Sequence, residues 1–433
     1  MNHWTQNAIF YHIYPLGFFG CEKHQTYQTV HRIRHLEAWI DHLHSLHVNA
    51  LYIGPLFASS SHGYDTIDYN QIDPRLGNNE DFKQLCQKLH ENQIKIVLDG
   101  VFNHVGRNFW AFEDVCEKKW ESPYKDWFSN LRFDGTTPYH DPFSYDSWEG
   151  HYELVKLNLY NQNVCDHLLQ AVNMWIDEFD IDGLRLDAAN CIPPHFFKQL
   201  KSFTQAKKKD FWLMGEVIHG DYNQWANAEM LDSVTNYECY KGIYSSHNTK
   251  NYFEIAYAYN RQHGDYGIYK NLYLYNFVDN HDVDRIASAL HDPRDLKNVM
   301  TLLYTMCGIP SLYYGSEWGI TGKRSKTSDE ALRPEVCLSD IKQNDLLFHI
   351  QKLGEIKQNE ESFHDLHYKQ IYLTNEQFVF QRNDCFIALN CADHPSEVKI
   401  PAGSYHDLLN DKIIQIQNML HIEAHDNMIL KRR

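Results

Sequence analysis

Short apolar runs recur along the chain, separated by stretches with helical spacing. Ala8–Pro15 is the first run and Ala50–Phe57 the second. Between them Ile33, Leu36, Trp39, Ile40, Leu43 and Leu46 lie near helical spacing. A helix carrying Phe82, Leu85, Cys86 and Leu89 follows, with Asn79 as its expected N-cap. The third run is Lys95–His104. The alternation then breaks until about Asn158, in a stretch dense in Trp, Tyr and Phe with turn signals at Asp134-Gly135 and Asp141-Pro142. It resumes with an amphipathic helix marked by Val164, Leu168, Leu169, Val172, Trp175, Ile176 and Phe179. That helix delivers Gly183–Asn190, and further runs follow at Phe211–Val217, Ser233–Tyr237, Leu272–Val278 and Ile309–Tyr314. Eight apolar strands separated by helices predict an α/β fold, a closed parallel barrel. A doubly wound open sheet is the alternative. The lack of a glycine-rich phosphate loop after the first strand counts against it. Beyond about Asp365, short strands at turn spacing predict a small antiparallel β domain.

In Gly183–Asn190, Leu184 and Leu186 alternate with Arg185 and Asp187, so the two charges share one face. An adjacent arginine favours the ionised carboxylate, and an ionised carboxylate at a strand end is a candidate nucleophile. In a parallel barrel the chemistry sits at the C-terminal strand ends. Strand three ends in Asp99, Asn103 and His104. Strand five ends in Glu216, and strand seven runs into Asn280, His281 and Asp282. Convergent acids repel one another and lose solvation, so packing alone does not explain them. Two carboxyl groups about 5–5.5 Å apart cleave a glycosidic bond with retention of configuration. Glu216, with apolar Met214 behind it, suits the proton donor and Asp187 the nucleophile. Asp282 suits a third acid that grips hydroxyls and stabilises positive charge, with His104 and His281 as hydroxyl donors.

Composition narrows the partners. With 433 residues there is room for two or three domains. A net charge of −17 argues against nucleic acid and anionic membrane surfaces. No apolar run reaches the ~20 residues of a spanning helix, and the start Met1–Asn7 has no export-signal pattern. The ten cysteines are scattered without a CxxC pair, as expected of reduced thiols in a cytoplasmic protein. The 28 tyrosines and 10 tryptophans suit either a well-packed core or stacking on sugars.

Asp99–His104, Gly183–Asp187, Gly215–Val217 and Phe277–Asp282 resemble, in order, the four signature regions of the α-amylase family of glycoside hydrolases. His62–Asp65 resembles the family's subsite tyrosine motif, and Gly308–Gly315 its last barrel strand. The resemblance implies a TIM (β/α)8 barrel over 1–104 and 159–362. It adds an inserted domain B over 105–158 after strand three, and a C-terminal antiparallel β-sandwich over 363–433. It implies action on α-glucan oligosaccharides, with Asp187 as nucleophile, Glu216 as acid/base and Asp282 as transition-state stabiliser. Arg185, His104 and His281 would touch the reacting sugar, Tyr64 would stack on it, and Asp99 would be mainly structural.

Two departures refine this. Asn190 and Cys191 stand where typical endo-acting members carry a Lys-His pair, which questions their grip beyond the cleavage point and their calcium arrangement. Asn103 matches a frequent calcium ligand, so a structural calcium is an expectation, although the chemistry itself requires no cofactor. Glu153–Asn158 resembles the neopullulanase and cyclomaltodextrinase branch. That branch usually has an N-terminal β domain building its dimer. This sequence begins directly with the barrel, so no oligomeric state is carried over. The expected activity is hydrolysis of maltodextrins or cyclodextrins. Two other readings stand beside it: 4-α-glucanotransfer, and a non-catalytic binding relative. Trp318, after the eighth strand, and Trp148, in the insertion, are the tryptophans expected to line sugar subsites. Trp110 and Trp225 are weaker candidates.

Overall fold

In the computed structural model, which describes residues 4–433, eight short strands form one all-parallel sheet. They are β1 (Phe10–Ile13), β2 (Ala50–Ile53), β3 (Lys95–Gly100), β4 (Gly183–Leu186), β5 (Trp212–Gly215), β6 (Ser233–Val234), β7 (Tyr275–Phe277) and β8 (Ile309–Tyr313). Sequence neighbours pair throughout except β6 with β7, and β8 pairs with β1. A parallel bridge from Thr235 to Tyr275 joins the β6 edge to β7 and closes the barrel. Closure excludes the open-sheet alternative. Residues 1–3 lie outside the described part. The export-signal reading of Met1–Asn7 therefore rests partly on residues not described here.

The strands are short because each has one inward and one outward row, and both are buried. Leu184 and Leu186 face the outer helices, while Arg185 points inward. Phe10, Val97, Trp212, Met214, Tyr275 and Ile309 fill the lower barrel. Higher up the inward row turns polar, with Asp99 and Arg185 side by side in register. The barrel is thus a plugged core beneath a polar rim. A fully buried Leu or Ile here contributes roughly 1.5–3 kcal/mol.

The helix Asn79–Glu91 starts one residue earlier than its sequence suggests. Asn78 is the cap, in a reciprocal box with Asp81, and Asn79 instead accepts a bond from the Ile72 amide. Between β3 and the helix Gln162–Phe179, strands His104–Gly106, Ser147–Trp148 and His151–Lys156 form a separate antiparallel sheet. One nine-residue helix, Trp110–Lys118, accompanies it.

At the C-terminal end a six-stranded antiparallel sheet faces the two-stranded sheet Ser396–Lys399/Met419–Ile422. Val379, Phe386, Val398, Leu420, Ile422 and Leu430 pack between them as a sandwich core. The other face joins the barrel's core through Phe378, Phe380, Ile387 and Leu389. Arg382, fully buried, pins this junction by donating to the carbonyls of Thr305, Asp365 and His367.

Burial pushes His104 and His263 each down to about 3, so both are neutral in the folded state. The unfolded chain takes up protons below pH about 6.5 that the folded chain does not. Each such histidine therefore costs about 1.4 kcal/mol per pH unit between roughly 6.5 and 3. Tm is expected to fall on acidification from pH 6.5, before the carboxylates titrate. Melts at pH 7, 6 and 5 by circular dichroism check this, and a flat Tm over that range contradicts it.

Candidate active site

The carboxylates gather where β3, β4, β5 and β7 end. Arg185, buried in the barrel mouth, is their common partner. Its Nη1 donates to Asp99 Oδ1 at 2.9 Å and to Asp187 Oδ1 at 2.8 Å, and its Nη2 meets Glu216 Oε1 at 2.9 Å. The backbone continues the strand ladder to hold these positions. The Asp187 amide donates to the Gly100 carbonyl, and the Glu216 amide to the Leu186 carbonyl. Ala188 then turns with φ +45°, a left-handed conformation that costs a non-glycine residue about 1–2 kcal/mol. This turn aims the Ala188 N–H at Glu216 Oε2, 3.2 Å away.

Burial, with Glu216 and Asp99 nearby, pushes the Asp187 carboxyl well above the usual range, although Arg185 opposes this. The adjacent arginine was expected to keep Asp187 readily ionised. Instead its single charge is divided among three carboxylates in a poorly solvated mouth. Asp282 is the opposite case. Against the cost of burial, His281 and Arg333 hold its carboxyl well below the usual range. His281 Nε2 is 3.0 Å from Asp282 Oδ2, and Arg333 Nη2 donates to Oδ1 at 3.1 Å.

Tyr64 and His281 stack, with ring centroids 5.5 Å apart, and the tyrosine hydroxyl bonds the imidazole Nε2. That hydroxyl and the Tyr52 hydroxyl also donate to Asp99. Asn103 Nδ2 donates to His104 Nδ1 at 3.2 Å, which puts the His104 proton on Nε2. His104 Nε2 is buried, 4.0 Å from Asp187 Oδ2, and has no hydrogen-bond partner among the described residues. It is a donor left for a ligand. The Trp148 ring lies 5.7 Å from His104, at the edge of the same site.

The structure therefore unites Asp187, Glu216, Asp282, Arg185, Tyr64, His104, His281 and Trp148. It does not bring Trp318 to them. Gly315 and Gly319, with φ of +86° and +81°, bracket the turn Ser316–Trp318. The indole packs at 3% exposure, edge-on to His42, and lines a separate cavity of about 760 Å³ beside the C-terminal sheet. A large apolar ring gains more from that burial than from an open rim. Trp110 belongs to an aromatic cluster with Tyr124, Trp127 and His167, and Trp225 packs over Gly220.

Several contributors had no local sequence signal. Arg333 bonds the His281 carbonyl as well as Asp282, and its guanidinium lies 4.5 Å from the Tyr14 ring. Tyr237 places its hydroxyl 3.5 Å from Glu216 Oε1 and accepts from Asn280. Asn280 Oδ1 receives the Asp282 amide. Arg333 comes from a loop and Tyr237 from the start of the helix Tyr237–Asn248, both remote in sequence from the acids they touch, whereas Asn280 already stood beside His281 and Asp282 in the sequence.

A family model described as the α-amylase catalytic domain matches residues 32–347. The chain belongs to the α-amylase family. A maltogenic α-amylase of Bacillus acidopullulyticus is 35% identical over 73% of this chain and 54% of its own length. A cyclomaltodextrinase of Thermoanaerobacter pseudethanolicus is 29% identical over 99% of this chain and 78% of its own. The chain thus spans about half the length of the first of these relatives. Among solved structures, the acarbose-soaked debranching enzyme of Nostoc punctiforme superposes with a TM-score of 0.81 at 26% identity. That likeness covers 99% of this chain and 98% of the other. Within the α-amylase family a calcium is a standing question for Asn103. Its Oδ1 is buried and unpartnered, but it lines a cavity shared with the Lys156 side chain. A donor wall that includes an ammonium does not fit a divalent cation.

Proposed function

We propose that the protein is a retaining α-glucan hydrolase that cleaves α-glucosidic bonds of maltodextrins and cyclodextrins. The observation that carries this is one guanidinium, Arg185, holding Asp187 and Glu216 together while Asp282 stands across the mouth with its own cations. Asp187 attacks the anomeric carbon while Glu216 gives its proton to the departing oxygen. A covalent glycosyl-enzyme forms, Glu216 then deprotonates water, and the water oxygen displaces Asp187. The mechanism asks Glu216 to give a proton and Asp187 to carry the charge, and Arg185, 2.9 and 2.8 Å from them, bridges the two. Asp282, held ionised, offers negative charge to the oxocarbenium-like transition state and accepts from sugar hydroxyls. His104 Nε2–H donates to a hydroxyl of the reacting ring.

The relatives' names support the substrate class: a maltogenic amylase, a cyclomaltodextrinase, and an intracellular maltogenic amylase of Bacillus subtilis. The last name, with ten unpaired cysteines, supports action in the cytoplasm. Among the described residues no helix is long and apolar enough to cross a membrane.

The test is a product profile on maltoheptaose, β-cyclodextrin, pullulan and starch, with the first-formed anomer read by proton NMR. Fast cleavage of the small or cyclic substrates, with the α-anomer appearing first, is expected. Release of the β-anomer first, or no cleavage by folded protein, overturns the proposal. Longer chains forming early from concentrated maltoheptaose would instead identify a glucanotransferase.

Arg333→Ala is expected to leave Asp282 without its outer cation and free to turn. A misplacement of about 1 Å costs on the order of 10²-fold, so kcat/KM should fall by about that much with Tm little changed. Steady-state kinetics on maltoheptaose checks it.

A further inference from the structure

A polar cavity of about 540 Å³ lies where the inserted sheet meets the barrel. Asn103, Asn130, Asp146, Lys156, Asn158 and Asn190 form its polar wall. The Asn103 amide is fixed from behind, because its Nδ2 donates to His104 Nδ1. Its Oδ1, 99% of the residue being buried, has no hydrogen-bond partner among the described residues. An unsatisfied buried acceptor costs about 1–3 kcal/mol, so this oxygen calls for a cation or a donor.

The charges on the wall decide which. Divalent cations of the calcium type gather six to eight oxygens, with carboxylates supplying most of the compensating charge. Asp146 is the one carboxylate lining this cavity, and its Oδ2 already accepts from Asn130 at 2.7 Å. Lys156 lines the same wall, and among the described residues no acid forms an ion pair with it. One negative and one positive charge leave the wall neutral. Lys156 also sits opposite His104 in the paired strands, so its backbone position is set by the same ladder that sets the histidine. Its positive charge reaches Cys191 on the facing wall, opposing the upward push of burial on that thiol.

We infer that the Lys156 ammonium takes the place of a divalent cation at this junction. It is the cation that Asn103 Oδ1 and Asp146 share through bridging water, and it fastens the inserted segment to the barrel without metal. A lysine supplies the charge permanently, so the junction does not depend on the free calcium concentration.

The experiment is thermal melting of the intact protein with calcium chloride or with EDTA, alongside Lys156→Met and Lys156→Asp. Wild-type curves are expected to coincide within about 1 °C in the two media, since nothing at this site binds the ion. Lys156→Met is expected to melt several degrees lower and to ignore calcium. Lys156→Asp puts a second carboxylate beside Asp146 and Asn103. It is expected to gain roughly 3 °C or more at about 10 mM calcium, and to lose that gain in EDTA. Calorimetric titration of that variant should then show calcium binding absent from wild type. A wild-type Tm that drops in EDTA and returns with calcium overturns the inference, as does Lys156→Met melting like wild type. Should Lys156→Asp not fold, those two measurements still decide. None of them reads glycosidase activity, so they stand apart from the proposed function.

Discussion

Asp187→Asn is expected to lower kcat/KM on maltoheptaose by roughly 10⁴-fold or more while leaving the fold intact. The amide keeps the size of the carboxylate and still offers an oxygen to Arg185 Nη1, so the 2.8 Å contact has a replacement. What is lost is the electron pair that forms the glycosyl-enzyme, and removing a covalent nucleophile costs factors of this order. A merely structural Asp187 would show the reverse pattern, with Tm falling and residual activity scaling with folded protein. Azide gives a sharper reading. With Asp187→Gly, external azide attacks the sugar directly, a single displacement that yields the inverted glycosyl azide. With Glu216→Ala, azide intercepts the glycosyl-enzyme and yields the retained product. Mass spectrometry and NMR of the products separate the two roles. Identical stereochemistry from both variants would show the assignment to be wrong.

Arg185→Met is expected to be the most destabilising single change at the site. Arg185 is 3% exposed and touches Asp99, Asp187 and Glu216. Methionine fills much of the same volume but leaves three carboxylates in a poorly solvated mouth with no cation. Breaking a buried ionic group by removing one partner costs about 3–5 kcal/mol, and proton uptake by the orphaned acids recovers only part of it. Urea unfolding at pH 7 should show the loss, and at pH 5 it should be smaller because protonation relieves the repulsion. The sign matters. The folded state of the variant binds more protons than that of the wild type, so acid narrows the gap between them. A stability loss under about 1 kcal/mol at pH 7, or one that grows in acid, would mean that Asp99 and Asp187 are compensated by groups other than Arg185.

Both predictions concern residues whose importance was legible before any coordinates. The alternation Leu184-Arg185-Leu186-Asp187 put both charges on one face, and they do point together into the barrel. Glu216 and Asp282 were legible because each ends an apolar strand run, and a parallel barrel brings such ends to one rim. Eight runs at helix-length intervals were enough for the barrel, since each buried strand has to be nearly all apolar. The C-terminal domain was legible only in part. Gly403–Asp407, Met419–Ile422 and Asp426–Arg432 alternate weakly or carry polar residues, and they are strands because neighbouring strands pair with them.

Other features were settled by tertiary structure alone, and the reason is the same each time. Periodicity reports which face of an element is buried, but not what buries it. Trp318 follows a barrel strand at the catalytic end, yet a turn between two left-handed glycines sends it into the core. Arg333 sits in a loop and Tyr237 opens the helix Tyr237–Asn248, and only the closed barrel places them on Asp282 and Glu216. The sharing of Arg185 among three acids, which turns an expected readily ionised Asp187 into one pushed upward, depends on distances between strands that are remote in sequence. Asn103 and Lys156 are 53 positions apart along the chain, and their meeting in one cavity decides what that cavity can bind. The sequence by itself determined the fold class and which carboxylates stand at the strand ends that meet in the barrel mouth, because burial patterns and charged strand ends are local. Which charge faces which was left to the tertiary structure, because Coulomb energies depend on separations that no local pattern encodes.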